Sequence, residues 1–183
     1  LFLYVLSLIK TADDPVGRQV IPDPAELDAM DFLTPDALCE EPQSPVPNLI
    51  HRYPDRVVFM VCDECAVYCR HCMRKRRVGL RKEVSESAIA RGIAYIRSAP
   101  AVRDVILSGG DPLMLNNDRL EHILSLLRRI PHVEIVRIHT RIPCALPRRV
   151  DKCLTRMLKK YHPLYVNIQF NHPDEITSQS SAA

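Results

Sequence analysis

Residues 56–72 read RVVFMVCDECAVYCRHC and join a run of apolar residues to a cluster of cysteines. The segment from Val57 to Val61 is a continuous apolar run, which is typical of a strand that is buried on both faces in a parallel sheet. Three cysteines, Cys65, Cys69 and Cys72, follow directly after it. Parallel α/β proteins place their functional loops just after a strand, so the sequence predicts a site at the end of this first strand.

The chain beyond the cysteines alternates between helical and strand patterns. Helices are predicted at about 85–98, from Asp118 as the cap to Pro131, and at about 151–161, because apolar residues recur there every three or four positions. Strands are predicted at 102–107, 133–138 and 164–170. Such alternation favours an α/β fold with parallel strands, and its four units predict a partial (βα) barrel.

The region before the first strand has a different texture. Eight of the fifteen prolines precede residue 55, where they interrupt any long regular element. We therefore predict a helical and proline-rich leader over residues 1–55, and the first half of a barrel, truncated at its C-terminus, over 56–183. The apolar opening, Leu1 to Ile9, is interpreted as a buried helix cut at its start, so the chain is expected to be a fragment.

Composition and charge exclude several classes of protein. The apolar opening is far shorter than the roughly 20 residues that span a bilayer, and no basic leader or cleavage site accompanies it. The formal charge of +3 is too small to indicate a nucleic-acid-binding face. Seven cysteines without an export signal favour a reducing compartment over a disulfide framework. We expect a cytoplasmic protein that binds neither membranes nor nucleic acid.

The spacing of the three clustered cysteines indicates an iron-sulfur site. Thiolates are soft ligands, and three on one short loop can hold three irons of a [4Fe-4S] cluster while the fourth iron stays open to a small molecule. The alternative is zinc, which usually takes four ligands in two paired groups, and no second pair is visible. The remaining cysteines are interpreted as small buried hydrophobes or inert thiols: Cys39, Cys62, Cys144 and Cys153.

A CxxxCxxC motif after a first strand resembles the radical S-adenosylmethionine (SAM) superfamily. The resemblance implies that SAM binds the open iron and is cleaved to a 5′-deoxyadenosyl radical, which abstracts hydrogen from a substrate. The segment Ser108, Gly109, Gly110 and Asp111 resembles the glycine-rich stretch that receives the SAM amino group, and its glycines allow close backbone approach. By the same resemblance, His71 lies against the adenine and Arg141 contacts SAM.

A narrower resemblance covers nearly the whole chain. Several segments in order are similar to lysine 2,3-aminomutases and their glutamate-acting relatives: 44–47, 51–56, 68–72, 102–105, 130–137 and 170–173. These enzymes also use pyridoxal phosphate and move an amino group from the α to the β carbon of a free amino acid, which is a small-molecule substrate. The resemblance implies that Arg52, Tyr53 and Arg56 hold pyridoxal phosphate. Guanidinium groups suit this role because they bind a phosphate through bidentate hydrogen bonds. It implies that Arg74 binds the substrate carboxylate, and it assigns no catalytic residue.

Some positions depart from the family, and other functions stay open. Gln169 stands where the family commonly has His, and His139 and Thr140 stand where it has Gly and Ser. These departures weaken the choice of lysine as the substrate, so the resemblance leaves both lysine and glutamate open. Lys75, Arg76 and Arg77 could equally be a solvated basic turn. One alternative function is lysine isomerisation for the modification of elongation factor P, and another is a non-catalytic iron-sulfur protein. We expect a homo-oligomer when the protein is full length, and a fragment that is inactive alone.

Overall fold

The computed structural model describes residues 3–11, 13–28, 34–80 and 84–183. Its strands are β1 Leu49–Tyr53, β2 Arg56–Cys62, β3 Asp104–Gly109, β4 Ile135–Thr140 and β5 Leu164–Ile168. Its α-helices are α1 Leu3–Leu6, α2 Gly17–Val20, α3 Glu86–Ser98, α4 Asn117–Arg128, α5 Ile142–Ala145, α6 Lys152–Leu158 and α7 Ser178–Ala182. Short 3-10 turns cover Pro24–Leu27, Pro112–Met114, Pro147–Arg149, Lys159–Tyr161 and Pro173–Glu175.

The strands form one sheet in the order β1-β2-β3-β4-β5. Strands β2 to β5 are parallel to one another, and each neighbouring pair is separated along the chain by at least one helix. This confirms the predicted α/β fold with parallel strands. Strand β1 was not expected, since it lies within the predicted leader, and it pairs antiparallel to β2. The division of the chain at residue 55 stays a prediction.

Several predicted boundaries were wrong. The cap of α4 is Asn116, whose side chain accepts a hydrogen bond from the Arg119 amide at 2.8 Å, and not Asp118. Strands β3 and β4 start two residues later than predicted, because the buried Val102 and Val133 close backbone turns that precede each strand. Helix α1 buries Val5 but leaves both of its leucines, Leu3 and Leu6, exposed. Residues 1 and 2 of the predicted opening helix lie outside the described residues.

The hydrophobic core lies on one face of the sheet. On successive strands, side chains of this face meet apolar residues of α3, α4 and α6, and nearly all of them are fully buried. The strand residues of this core are Val57, Phe59, Val105, Leu107, Val136 and Ile138, and the helix residues include Ile89, Ile93, Leu120, Leu124, Leu127 and Leu154. This packing buries the apolar stripe of each helix against the sheet. Because the strands are parallel, their carboxyl ends lie at the same edge of the sheet.

The opposite face of the sheet carries polar side chains. Ser108, His139 and Asn167 occupy this face near the carboxyl ends of β3, β4 and β5, and all three line one cavity. Strand β5 leaves most of its residues exposed, including Tyr165 and Ile168. Among the described residues, no helix is both long enough and apolar enough to cross a bilayer. Because Ser108, His139 and Asn167 line a cavity on the polar face, the candidate site lies on that face.

We predict that Gly92→Ala destabilises the fold. A Cβ atom at Gly92 in α3 would lie less than 3.0 Å from the ring of Phe59, which is fully buried. Alanine favours a helix over glycine by about 1 kcal/mol, but overpacking a core costs about 1–3 kcal/mol, so the free energy of unfolding should fall. Denaturant unfolding of the variant measures this change.

The control is Ala94→Ser, at an exposed position of the same helix, which should change stability by about 0.5 kcal/mol or less. Combining Gly92→Ala with Phe59→Leu should remove most of the clash. A Gly92→Ala protein more stable than the wild type would show that α3 does not lie against Phe59 as described.

Candidate functional site

The cysteine loop follows β2 at the carboxyl end of the parallel strands. β2 ends at Cys62, and Cys65, Cys69 and Cys72 come within the next ten residues. All three are free and partly buried, and they line one cavity of about 320 Å³. The fold therefore brings three thiols to a single cavity on the polar face of the sheet.

The end of β3 bounds the same cavity and lies tightly against the cysteine loop. The amide of Gly110 donates to the carbonyl of Cys62 at 2.6 Å, and the amide of Asp111 donates to the carbonyl of Glu64 at 2.7 Å. Gly109 has a φ of 112°, which favours glycine. A Cβ atom at Gly110 would lie less than 3.0 Å from the Glu64 backbone. The two loops thus come so close that residue 110 has no room for a side chain.

Asp111 joins the end of β3 to the end of β4. Its buried carboxylate accepts hydrogen bonds from the Thr140 hydroxyl at 2.7 Å, the Arg141 amide at 2.7 Å and the Leu113 amide at 3.1 Å. Burial raises the pKa of the Asp111 carboxyl, and the donated bonds act against that rise. Asp111 lines the cavity, but its carboxylate oxygens bind protein groups and so position Arg141.

The guanidinium of Arg141 links the cysteine loop to the leader. Its Nη1 donates to the Sγ of Cys69 at 2.8 Å, and its Nη2 donates to Oε1 of Gln19 at 2.6 Å and to the carboxylate of Glu175. Arg141 and Glu175 are both buried. The arrangement places a positive charge directly beside one thiol of the cavity.

His71 lies at the outer edge of this network. It is exposed, and its Nε2 is 3.4 Å from Nδ2 of Asn171, which also donates to Oε1 of Gln19 at 2.7 Å. The imidazole is therefore close to the cavity but is not among the residues that line it.

The thiols differ in their electrostatic environment. Burial raises the pKa of Cys65, and the charge of Asp111 raises it further. The thiolate is the form that binds metals, so a bound cation is needed to hold Cys65 ionised. Burial also raises the pKa of Cys62 to about 11, and its Sγ lies 3.4 Å from the amide of Glu64. These surroundings are consistent with the interpretation of Cys62 as an inert thiol of the strand.

The basic run after Cys72 is paired with acidic residues of the leader. Arg74 forms a bidentate pair with the buried Glu40, with an Nη2 to Oε1 distance of 2.6 Å. Arg76 lies 2.7 Å from a carboxylate oxygen of Asp36, and Arg77 donates to Asn48 at 3.0 Å. The alternative of a solvated basic turn is therefore wrong for Arg76 and Arg77.

A second cavity of about 160 Å³ lies toward the start of β2. It is lined by Arg52, Tyr53 and Arg56, and also by Arg74, which lines the thiol cavity as well. The guanidinium carbons of Arg52 and Arg56 each lie 5.9 Å from the ring centroid of Tyr53. The structure thus brings these three residues together, and Arg74 lies between them and the cysteines.

The donor set fits an iron-sulfur cluster. Each thiolate of such a cluster binds its own iron, so the three sulfurs need to face one cavity and do not need to meet at one point. Within the described ranges, no group of three His, Cys, Asp or Glu side chains is gathered closely enough to hold a single ion. Three thiols on one loop, with a cation beside Cys69, meet the requirement of a cluster.

Sequence patterns missed the residues of this site that come from outside the strand ends. Gln19 and Glu40 belong to the leader, and Glu175 precedes α7. Each is a single polar residue without a motif around it, so spacing and periodicity carry no signal for it. Only the folded chain brings them next to Arg74 and Arg141.

Comparisons with known proteins show which proteins the chain is similar to. Residues 60–180 match the model of the Radical SAM superfamily. The chain is 50% identical over 183 residues to an L-lysine 2,3-aminomutase of Clostridium subterminale, and it is 46% identical over 184 residues to a glutamate 2,3-aminomutase of Clostridioides difficile. These matches cover 98% of this chain in both cases, but 44% and 43% of the relatives. The chain thus spans less than half the length of these relatives.

We predict that Gly110→Ala impairs the thiol cavity. The new Cβ atom has to displace the backbone of Glu64, next to Cys65, so iron uptake should fall sharply and stability should fall by about 1–3 kcal/mol. The measurements are iron bound per chain after anaerobic reconstitution, and denaturant unfolding.

The matched control is Gly17→Ala, because a Cβ atom there would be 3.4 Å from Ile9, an ordinary contact. This control should bind as much iron as the wild type. Equal iron uptake by Gly110→Ala would contradict the close approach of the two loops.

Proposed function

The chain belongs to the radical SAM superfamily, and on this premise we propose that the protein is a pyridoxal-phosphate-dependent amino-acid 2,3-aminomutase. Its substrate would be lysine or glutamate, whose α-amino group moves to the β carbon. The names of the two relatives described above support both substrates. The observation that carries the proposal is the convergence of three thiols, a glycine loop and Arg74 on one cavity.

The residues of the thiol cavity would hold the cluster and SAM. Cys65, Cys69 and Cys72 would bind three irons, while Ser108, Gly109 and Gly110 offer a backbone that a small molecule can approach closely. His71 and Arg141 would contact SAM on this side of the site. Asp111 would orient Arg141, whose amide donates to its carboxylate. When bound, the cluster and SAM supply the radical that abstracts hydrogen from the substrate.

Arg52, Tyr53 and Arg56 would hold pyridoxal phosphate. Two guanidinium groups beside a phenol ring suit a phosphate and an aromatic cofactor. Arg74 lines this cavity as well as the thiol cavity, so a carboxylate bound to it would place an amino acid between the two cofactors. Holding the reactants in register is the main contribution that the protein makes to such chemistry.

The proposed cluster also bears on where the protein is located in the cell. Since three free thiols have to stay reduced for the cluster, we propose a cytoplasmic location. We also propose that the intact protein is a homo-oligomer that acts on a small molecule. Neither elongation factor P modification nor an electron-carrier role is favoured by a feature of the site.

We predict that the intact protein converts an α-amino acid to its β isomer, and that Arg74→Lys impairs this. Lysine keeps the charge but loses the planar guanidinium with its fixed N–H donors, so kcat/KM should fall on the order of 10- to 100-fold. Arg77→Lys is the control, because Arg77 lies in the same basic run and binds Asn48. Product formation from lysine and from glutamate is measured by NMR under anaerobic conditions.

A wild-type protein that converts neither amino acid would contradict the proposed function. An Arg74→Lys protein with the activity of the Arg77→Lys control would contradict the role of Arg74 alone.

We further predict that residues 1–183 on their own show no turnover. They span 44% of the similar lysine 2,3-aminomutase from Clostridium subterminale, and β5 leaves most of its residues exposed. The same NMR assay with purified residues 1–183 tests this expectation. Interconversion of α- and β-lysine by this preparation would show that it is wrong.

A further inference from the structure

We propose that Glu40, a residue of the leader, is a positioning residue that fixes the guanidinium of Arg74 for the substrate carboxylate. The inference rests on the proposed function, in which Arg74 binds that carboxylate. It adds that the leader, as well as the barrel strands, builds the substrate site.

The contact between the two side chains is specific in its geometry. Arg74 donates from Nε to both carboxylate oxygens of Glu40, at 2.9 and 3.1 Å, and from Nη2 to Oε1 at 2.6 Å. This uses the Nε–Nη2 edge of the guanidinium. The Nη1 group points elsewhere and reaches Oγ of Ser108 at 3.5 Å, which is a long hydrogen bond. A substrate carboxylate can therefore bind through Nη1 while Glu40 keeps the other edge.

Glu40 is held so that it has little freedom to move. Only 5% of its side chain is exposed, and the carboxylate also lies 3.6 Å from Nη2 of Arg76. Two guanidinium groups thus share this buried negative charge. A charge in this position is favourable only while its partners stay in place, so the pair has one preferred arrangement.

The backbone of the loop around Glu40 is held by its neighbours in a conformation that buries the Glu40 side chain. The preceding Cys39 has a φ of 51°, which a residue with a side chain rarely adopts. Gln43 donates from Nε2 to the Cys39 carbonyl at 2.6 Å, and Ser44 donates to the Glu40 carbonyl at 2.8 Å. Such strain is often found where function requires a side chain in one place.

The location of the pair matches a positioning role. Glu40 lines the cavity of Arg52 and Tyr53, and Arg74 lines both that cavity and the thiol cavity. A shift of the guanidinium by about 1 Å would misplace a bound amino acid against both cofactors, which can cost on the order of 100-fold in rate. The pair thus lies where small movements matter most.

The test compares Glu40→Gln with Glu41→Gln in the intact, cluster-loaded protein. The two glutamates are neighbours on one loop, but the side chain of Glu41 is 69% exposed and lies 3.4 Å from Nε of Arg76. We expect Glu40→Gln to lower kcat/KM for the amino acid about 10- to 100-fold with unchanged iron content, and Glu41→Gln to match the wild type. Glu40→Asp, which keeps the charge on a shorter arm, should lie between them.

A double-mutant cycle separates positioning from a merely structural role. If Glu40 acts through Arg74, then adding Glu40→Gln to Arg74→Lys should change kcat/KM by less than about 2-fold, since lysine has already lost the two-point contact with Glu40. Full additivity of the two substitutions would overturn the inference. So would a lower KM in Glu40→Gln, because that result would mean that Glu40 competes with the substrate for Arg74.

The outcomes also separate this inference from the proposed function. If the wild type is active and Arg74→Lys is impaired, but Glu40→Gln behaves as the wild type, the inference alone fails. If the wild type converts no amino acid, the proposed function fails and the role of Glu40 fails with it.

Discussion

The close contact between two backbone loops is the constraint on which the rest of the site depends. Two amide groups after β3 donate to the carbonyls of Cys62 and Glu64, and Gly110 has no room for a side chain. Because β2 and β3 are neighbouring parallel strands, their carboxyl ends meet at one edge and the loops are forced together. The three thiols and the glycine backbone then face one cavity without further adjustment.

The leader completes this edge at three points. The amide of Arg70 donates to the Gln19 carbonyl at 2.7 Å, and its guanidinium pairs with Glu26, whose pKa that hydrogen bond lowers to about 2. Glu40 pairs with Arg74 in the same region. The cysteine loop is therefore held from both sides, by β3 and by the leader, which keeps it ordered enough to present three sulfurs.

The sequence predicted what depends on local pattern, and it failed where distant residues meet. The apolar run of β2 and the amphipathic α3 carry a clear periodicity, so the parallel α/β fold could be predicted. Strand β1 was not predicted because two of its five residues are exposed and its pairing with β2 is set by tertiary contact. The cysteines have a motif, but Glu40 has none, and its partner Arg74 is 34 residues away. Such a pair becomes visible only in the folded chain.

In the proposed function, the three thiols hold a cluster with one iron open to SAM. The most direct measurement is electron paramagnetic resonance of the reduced protein after anaerobic reconstitution with iron and sulfide, before and after SAM is added. We expect the reduced protein to show a [4Fe-4S] signal that changes when SAM binds. A cluster signal that is indifferent to SAM in the intact protein, or no cluster at all, would contradict it.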